Sequence, residues 1–438
     1  MSTNAKRTAY RGTLVDFTDD PRQSGASALR HLEDGLLVVN DGKVEGTGLA
    51  AEMRAKLPPG TKVVDHSGKL IMPGFIDAHV HFPQLDVIAS HGKQLLDWLS
   101  DYTFPAESRF SDPVHGAAVA KFFLDELARN GTTTAAVYPT VHPESVDAFF
   151  SEAKQRGLRM VAGKVMMDIN APDNLRDEAE QSYADSKMLI ERWHGKDRLL
   201  YGVTPRFAAT STERQLELAG KLLDEHPGIH MQTHLAENDA EIKWIAELFP
   251  WSKSYLGVYE KFGLVRPGAL YGHSIHLSQD DWRTLARNGA AAIHCPTSNL
   301  FLGSGLFNLD AANEAGALVG LATDVGGGTS FSMLRTMHEA YKVAQMARRP
   351  FTASDGFYLA TLGSARALGL QDKIGNFNPG MEADFIVLDP KATPLIERRY
   401  GIAPNIEQKL FVLMMLGDDR VVDQTYIMGE PAKPEART

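Results

Sequence analysis

The sequence has a single cysteine and no long hydrophobic run, and each absence excludes a class of protein. Cys295 is the only cysteine in 438 residues, so no internal disulfide can form and a disulfide-stapled fold is excluded. No uninterrupted apolar stretch reaches the length of a membrane-spanning helix, and the first residues contain no apolar signal-peptide core. We therefore expect a cytoplasmic protein that does not span a membrane.

An excess of basic charge is also lacking. The chain has 45 Lys and Arg against 55 Asp and Glu, for a formal net charge of -10, and no basic stripe compensates for it. This balance argues against a nucleic-acid partner. The hydrophobic fraction of 43% is that of an ordinary globular protein, and the length suffices for one large barrel domain with a small second domain.

Both ends of the chain have the pattern of β-strands. Residues 1–70 contain "YRGTLVDFT", "GLLVVNDGKVEGTG" and "TKVVDHSGKLIMPG", in which apolar and polar residues alternate up to a glycine or proline. The pair Asp41 and Gly42 predicts a hairpin turn between two such runs. Residues 377–438 have the same pattern in "ADFIVLDP" and "KLFVLMMLGDDRVVDQTYIMGEP". We expect the two ends to meet as one small β-sandwich domain.

Residues 71–376 alternate short strands with helical segments, the pattern of βα units around a parallel sheet. The eight predicted strands are residues 76–81, 133–138, 160–166, 200–204, 229–234, 269–273, 291–294 and 318–323. Eight parallel strands close a barrel. The predicted fold is therefore α/β, a (β/α)8 TIM-like barrel joined to the small β-domain.

Unusual polar side chains lie at the carboxyl ends of these predicted strands, where the active sites of such barrels are found. The first strand ends in a His-x-His pair preceded by an aspartate, and three later strands end in a histidine or an aspartate. These residues are Asp77, His79 and His81 on the first strand, His234 with Glu237 at the fifth, His273 at the sixth and Asp324 at the eighth.

Four of these residues suit a metal ion. His79 and His81 are two residues apart, so both imidazoles point to the same side of a strand. With His234 and Asp324 they supply three nitrogens and one oxygen, a set that fits zinc or another first-row divalent metal. A water molecule on such a metal has its pKa lowered to about 7 and can attack as hydroxide.

Two further residues would assist that chemistry. Glu237 follows His234 by three residues and could accept the proton of the attacking water and then deliver it to the substrate. His273 could orient the hydroxide or stabilise developing charge. Each residue alone has a structural explanation, such as a turn at an aspartate that precedes glycines. Together, at the same end of four predicted strands, they favour a metal site.

These motifs also resemble a known group of enzymes. "PGFIDAHVH", "THLAEN", the histidine of the sixth strand and "ATDVG" resemble the amidohydrolase superfamily, metal-dependent hydrolases built on a distorted (β/α)8 barrel. Within it, "HVHFPQ", "TPRF", "CPTSNLFLGSGLFN" and "TDVGGGTSFSML" closely resemble the guanine deaminase family over nearly the whole chain. This resemblance implies hydrolysis of guanine to xanthine and ammonia by a metal-activated hydroxide at C2. It also implies one Zn²⁺ per chain, with Fe²⁺ as an alternative, and a homodimer.

The resemblance assigns roles to single residues. It implies His79, His81, His234 and Asp324 as metal ligands, Glu237, His273 and Asp324 as catalytic residues, and Gln84, Arg206, Phe207, Glu237 and His273 as contacts of the purine. The chemistry of the two polar side chains agrees. Guanine presents the O6 acceptor beside the N1–H donor; a guanidinium donates to O6, and an amide can donate or accept.

Several alternatives remain open. A related mononuclear deaminase or dechlorinase could act on a pterin, a triazine or another guanine-like ring. Lys164 on the third strand could bridge two metals in a cyclic-amide hydrolase, although an ion pair inside the barrel suits it better. A non-enzymatic scaffold is disfavoured because every proposed ligand is present.

Three other residues also have a structural explanation. Cys295 is better explained as a buried thiol than as a nucleophile. Trp98 and Phe104 could either cover a planar base or pack against neighbouring helices and loops.

Overall fold

The structure is a computed structural model that describes residues 7–92 and 94–434. The first six and last four residues of the predicted terminal ranges lie outside the described residues. Within the described part, no helix is both long and apolar enough to cross a membrane.

The two ends of the chain meet in one small β-sheet. Its strands, numbered along the chain, are β1 (Arg7–Phe17), β2 (Leu29–Asn40), β3 (Lys43–Leu49), β4 (Lys62–Pro73), β14 (Phe385–Leu388), β15 (Val422–Ile427) and β16 (Glu430–Pro431). They form one hydrogen-bonded sheet of order β16-β15-β14-β4-β1-β2-β3. Asp41 and Gly42 form the turn between β2 and β3, and both have the positive φ that a tight hairpin turn requires.

Apolar side chains cover both faces of this sheet. Alternate residues of β2 point to opposite faces. Leu37 and Val39 belong to a cluster that includes Phe385, whereas Leu36 and Val38 pack with Ala50 of the helix that follows β3. The domain is therefore a single sheet that is buried on its two sides, and β14 joins it by pairing with β4 in antiparallel register.

The middle of the chain forms the predicted parallel barrel. Its strands are β5 (Phe75–His81), β6 (Thr132–Tyr138), β7 (Arg159–Ala162), β8 (Val165–Met166), β9 (Leu199–Pro205), β10 (His230–Leu235), β11 (Ala269–His273), β12 (Ala291–His294) and β13 (Leu318–Leu321). They run in the order β5-β6-β7-β9-β10-β11-β12-β13, and β8 pairs with β9. The predicted third strand is thus divided at Gly163, where a side chain would collide with the carbonyl oxygen of Gly202.

The barrel closes at the carboxyl ends of its first and last strands. The amide of Asp324 donates to the carbonyl of His79 at 3.0 Å, and the amide of His81 donates to the carbonyl of Val325 at 2.8 Å. The Asp77 carboxylate accepts from the amide of Thr323 at 3.1 Å. These bonds place the His-x-His pair beside Asp324, although 243 residues separate His81 from Asp324 in the sequence.

Helices follow most of the barrel strands and bury their apolar faces against them. The longest starts at Pro113, where the side chain of Asp112 accepts from the amide of Val114 and caps the first turn. The barrel helices are Pro113–Arg129, Pro143–Gln155, Ala179–Trp193, Glu213–Glu225, Asp239–Leu248, Tyr255–Lys261, Gln279–Arg287, Pro296–Phe301, Leu309–Ala315 and Met333–Met346. Further helices are Pro21–Ser24, Ala50–Arg54, Leu95–Trp98, Phe104–Glu107, Ala353–Tyr358, Ser364–Ala367, Pro394–Gly401 and Ile406–Leu416.

Two features connect the small sheet with the barrel. Arg159 donates to Glu382 at 2.7 Å, and Arg198 donates to Asp384 at 2.9 Å, in a buried group of ion pairs. The helix Ile406–Leu416 adds Leu410 and other apolar side chains to the core that surrounds the barrel. The predicted division at residues 70 and 376 stays a prediction, since residues beyond 376 contribute to both parts.

Candidate active site

A cluster of three histidines and one aspartate lies at the carboxyl end of the barrel. Nε2 of His79 lies 3.3 Å from Nε2 of His81, and Nε2 of His81 lies 3.3 Å from Nε2 of His234. Oδ1 of Asp324 lies 3.3 Å from Nε2 of His79 and 3.4 Å from Nε2 of His81. All four predicted ligands therefore converge, and His79, His81 and Asp324 are buried.

The spacing of these donor atoms fits a metal ion. Zinc binds histidine nitrogen and carboxylate oxygen at about 2.0–2.2 Å, and tetrahedral angles then place neighbouring ligand atoms about 3.3–3.6 Å apart. Four of the six separations among these atoms, from 3.3 to 3.4 Å, lie in this range. The three histidines form one group with metal-ligand spacing, and Asp324 forms a second with His79 and His273. Neutral imidazole nitrogens that face one another cannot all be satisfied by hydrogen bonds among themselves, whereas a shared cation satisfies every lone pair.

The surroundings prepare these residues to act as ligands. Nδ1 of His234 donates to the carbonyl oxygen of Arg206 at 2.7 Å, which leaves the Nε2 lone pair free. Burial lowers the pKa of His81 to about 4, and burial together with the neighbouring histidines lowers the pKa of His234 well below its usual value. Burial alone would raise the pKa of Asp324, but contacts with His79 and His81 hold it well below its usual value. These shifts favour neutral imidazoles at His81 and His234 and a carboxylate at Asp324, the forms that bind metals.

Glu237 and His273 lie beside the cluster and contact each other. Oε2 of Glu237 is 3.4 Å from Nε2 of His273, and Ser304 donates to Oε1 of Glu237 at 3.2 Å. Nδ2 of Asn299 donates to Nδ1 of His273 at 2.9 Å, so the ring carries its hydrogen on Nε2, facing Glu237. Burial raises the pKa of Glu237 well above its usual value, and the nearby Asp324 adds to this shift.

A second glutamate holds Glu237 in place. The carboxylate of Glu241 accepts from the backbone amide of Glu237 at 2.9 Å, and the hydroxyl of Tyr255 donates to Glu241 at 2.7 Å. Glu241 also completes a capping box with Asn238 at the start of the helix Asp239–Leu248. The turn that carries Glu237 is thus fixed by the beginning of the following helix.

Several non-glycine residues in this region have a left-handed backbone. The positive φ angles are 48° at Ala236, 67° at His273, 52° at Ser274 and 50° at Asp324. Such conformations cost energy in non-glycine residues and are retained where the surrounding structure imposes them, commonly at functional sites. Their coincidence with the histidine and carboxylate cluster supports a functional role for this end of the barrel.

Gln84 and Arg206 form a polar edge on one side of the cluster. Nη1 of Arg206 donates to Oε2 of Glu107 at 2.6 Å, and Nε2 of Gln84 donates to Oε1 of the same carboxylate at 3.0 Å. Oε1 of Gln84 accepts from the amide of Gly326 at 3.2 Å. Glu107 was not among the predicted site residues, because it lies in a short helix with no recognisable motif.

These groups face one cavity at this end of the barrel. Its lining combines five of the ligand and catalytic candidates with the polar edge and an apolar wall. The lining residues are His81, Gln84, Leu95, Trp98, Leu99, Arg206, Phe207, His234, Glu237, Glu241, His273, Ser298, Leu302, Asp324 and Gly327. Trp98 therefore faces the cavity, whereas the ring of Phe104 packs 5.5 Å from the guanidinium carbon of Arg206.

Lys164 and Cys295 do not belong to this lining. The ammonium group of Lys164 pairs with Asp177 and donates to the hydroxyl of Ser182 at 3.1 Å. It therefore points to the start of the helix Ala179–Trp193. Cys295 is fully buried, and burial raises the pKa of its thiol well above the usual value. Neither residue is arranged to bridge metals or to attack a substrate.

The fold and the site together define a class of protein: a (β/α)8 barrel with a candidate metal site of histidines and a carboxylate and with a buried glutamate beside it, as in metal-dependent hydrolases. The chain belongs to the amidohydrolase family, whose model matches residues 70–432.

Individual relatives cover nearly the whole chain. The guanine deaminase of Escherichia coli is 50% identical over 424 residues, which span 96% of each chain. Its solved structure superimposes with a TM-score of 0.95 over 97% of this chain and 99% of that one. A guanine deaminase from C. acetobutylicum, solved with guanine in the active site, is 28% identical with a TM-score of 0.87 over 97% of this chain and 99% of that one.

Proposed function

We infer that this protein is a guanine deaminase, which hydrolyses guanine to xanthine and ammonia. The observation that carries this inference is the Gln84 and Arg206 edge, held beside the histidine and aspartate cluster in one cavity. The 50% identity to the guanine deaminase of Escherichia coli over 96% of both chains supports the same substrate.

One divalent metal ion per chain is proposed, held by His79, His81, His234 and Asp324. Three imidazole nitrogens and one carboxylate oxygen suit zinc, while iron is the alternative because metal availability also determines occupancy. When bound, the ion lowers the pKa of water so that hydroxide is available near neutral pH.

Glu237 is the proposed proton carrier. Its carboxylate accepts a proton from the attacking water as the water oxygen forms a bond to C2 of the purine, and it then delivers that proton to ring N3. The carbon becomes tetrahedral and carries a hydroxyl group. Glu237 then takes the proton of that hydroxyl and passes it to the exocyclic nitrogen, so that the C2–O bond becomes a carbonyl, the bond from C2 to the exocyclic nitrogen breaks, and ammonia leaves. A buried carboxyl with a raised pKa suits this exchange because it holds a proton more readily than an exposed glutamate.

The polar edge is proposed to orient the ring. Arg206 donates to O6, and Gln84 reaches the neighbouring edge, so that C2 is presented to the cluster. Since the attack builds negative charge on the ring, the guanidinium stabilises the transition state more than the ground state. Phe207 supplies apolar contact, and Nε2–H of His273 would donate to the oxygen that adds to C2.

We also propose that the enzyme works as a homodimer in the cytoplasm and serves purine catabolism. The single buried cysteine suits a reducing compartment, and the other two expectations rest on the resemblance to guanine deaminases. Light scattering of the purified protein tests the dimer, with a mass near 48 kDa contradicting it.

Purified, metal-replete protein tests the proposed function directly. Guanine should release ammonia and yield xanthine, and adenine should not. Turnover of a pterin or a triazine without turnover of guanine would reject the substrate and retain the metal chemistry.

A further inference from the structure

Glu107 lies behind the polar edge and contacts both of its members. One carboxylate oxygen accepts from Nη1 of Arg206 at 2.6 Å, and the other accepts from Nε2 of Gln84 at 3.0 Å. Glu107 does not line the cavity, so its side chain acts through these two neighbours rather than on a bound molecule. The helix Phe104–Glu107 that carries it also places the ring of Phe104 against the guanidinium of Arg206.

This arrangement fixes the chemical character of the edge. Gln84 donates to Glu107 and accepts from the amide of Gly326, so its amide orientation is determined. The side chains of Arg206 and Glu107 are only 3% and 1% exposed. At such depth an unpaired guanidinium would be very unfavourable, whereas the pair carries no net charge. The edge therefore presents directed hydrogen bonds to the cavity without an uncompensated positive charge.

We propose that Glu107 is a positioning residue that determines specificity: it aligns Gln84 and Arg206 and neutralises Arg206, so that the cavity selects a neutral purine over an anionic one. This proposal rests on the proposed function of the same site. It predicts that loss of the carboxylate charge weakens guanine binding and at the same time favours purines that carry a negative charge.

The variant Glu107→Gln tests the proposal because it keeps the shape of the side chain. A glutamine places an NH2 donor where one of the two carboxylate oxygens accepts, so one of the two hydrogen bonds is lost in this geometry. It also leaves the charge of Arg206 unpaired. We expect KM for guanine to rise about tenfold, with a smaller change in kcat and unchanged metal content. Urate is a purine that is anionic at neutral pH. Its inhibition constant should itself fall, so that the ratio of this constant to the KM of guanine decreases by about a factor of ten beyond the change caused by the higher KM.

The variant Glu382→Gln is the matched control. Glu382 is also a buried glutamate bonded to an arginine, Arg159, at 2.7 Å, but it joins the barrel to the small sheet away from the cavity. The Glu382→Gln variant should have a lower thermal midpoint. The ratio of the KM for guanine to the inhibition constant for urate should stay unchanged. An equal change of that ratio in both variants would mean that Glu107 has only a structural role.

A second variant keeps the test decisive if Glu107→Gln is unstable. Glu107→Gln combined with Arg206→Gln removes both charges. We expect its KM to exceed that of Arg206→Gln alone by clearly less than the roughly tenfold rise expected for Glu107→Gln, since part of the effect of Glu107 passes through Arg206. Additive effects, or an unaltered preference for guanine over urate in Glu107→Gln, would overturn the proposal. Guanine turnover by the wild type is measured first, so that its absence rejects the proposed function separately.

Discussion

Replacing Glu237 with glutamine separates proton transfer from metal binding. The amide oxygen of glutamine can still accept the hydroxyl of Ser304, which donates to Oε1 of Glu237 at 3.2 Å. Glu237 is also not one of the four proposed metal ligands. The variant therefore keeps the shape of the cavity and the proposed ligands, but its amide cannot carry a proton from the water to the ring.

The size of the effect follows from the two tasks given to this carboxyl. General acid–base catalysis contributes about 10²- to 10⁴-fold, and one group that acts first as base and then as acid should lie in the upper part of that range. We expect kcat to fall by about 10³- to 10⁴-fold, which corresponds to about 4–5.5 kcal/mol on the barrier. Because burial raises the pKa of Glu237, ionisation of this acid above its unfolded pKa opposes folding, so the neutral amide should not lower stability.

The assay is ammonia release at saturating guanine, with metal per chain and thermal midpoint measured on the same sample. A kcat within about threefold of the wild type, with the metal retained, would remove the proton-carrier role. Loss of the metal together with activity would instead make Glu237 a ligand, which contradicts the geometric assignment.

Three further predictions concern the ligands, the polar edge and the alternative two-metal mechanism. Arg206→Ala should lower kcat/KM for guanine by about 10- to 100-fold with unchanged metal content, since a charge-assisted hydrogen bond is lost. Full activity in steady-state kinetics would mean that other residues bind the purine. Removal of the metal by a chelator should abolish turnover and lower the thermal midpoint, and one equivalent of Zn²⁺ per chain should restore both. A requirement for two equivalents would contradict the mononuclear site. Lys164→Met should lower the thermal midpoint by several degrees, because the partly buried Asp177 loses its ion-pair partner. The kcat of the folded variant should stay within about threefold of the wild type. Loss of turnover together with half of the bound metal would instead support a metal-bridging role for Lys164.

Much of the site could be predicted from the sequence because its residues occupy strand ends. His79, His81, His234, His273 and Asp324 each follow a short apolar run, and barrel topology brings such positions to one edge. Because the barrel closes between β5 and β13, the first and the last of these residues become neighbours. The hydrogen bond from the amide of Asp324 to the carbonyl of His79 shows this.

Other features depend on contacts between segments that have no common pattern. Glu107 is 99 residues from Arg206, and nothing in "FPAESRF" marks a carboxylate that will be paired in a site. The third strand is divided at Gly163, which has no room for a side chain beside Gly202, and only the packed structure reveals this approach. Trp98 and Phe104 were equivalent candidates in the sequence, but Trp98 faces the cavity and Phe104 supports Arg206.

The decisive experiment for guanine deamination at this site is to measure ammonia release from guanine, adenine, cytosine and a guanine-like pterin by purified protein whose metal content has been determined. The structure and the proposed roles of Gln84 and Arg206 predict rapid release from guanine alone. Release only from another ring, or no release from any of the four with the metal present, would contradict the proposed function.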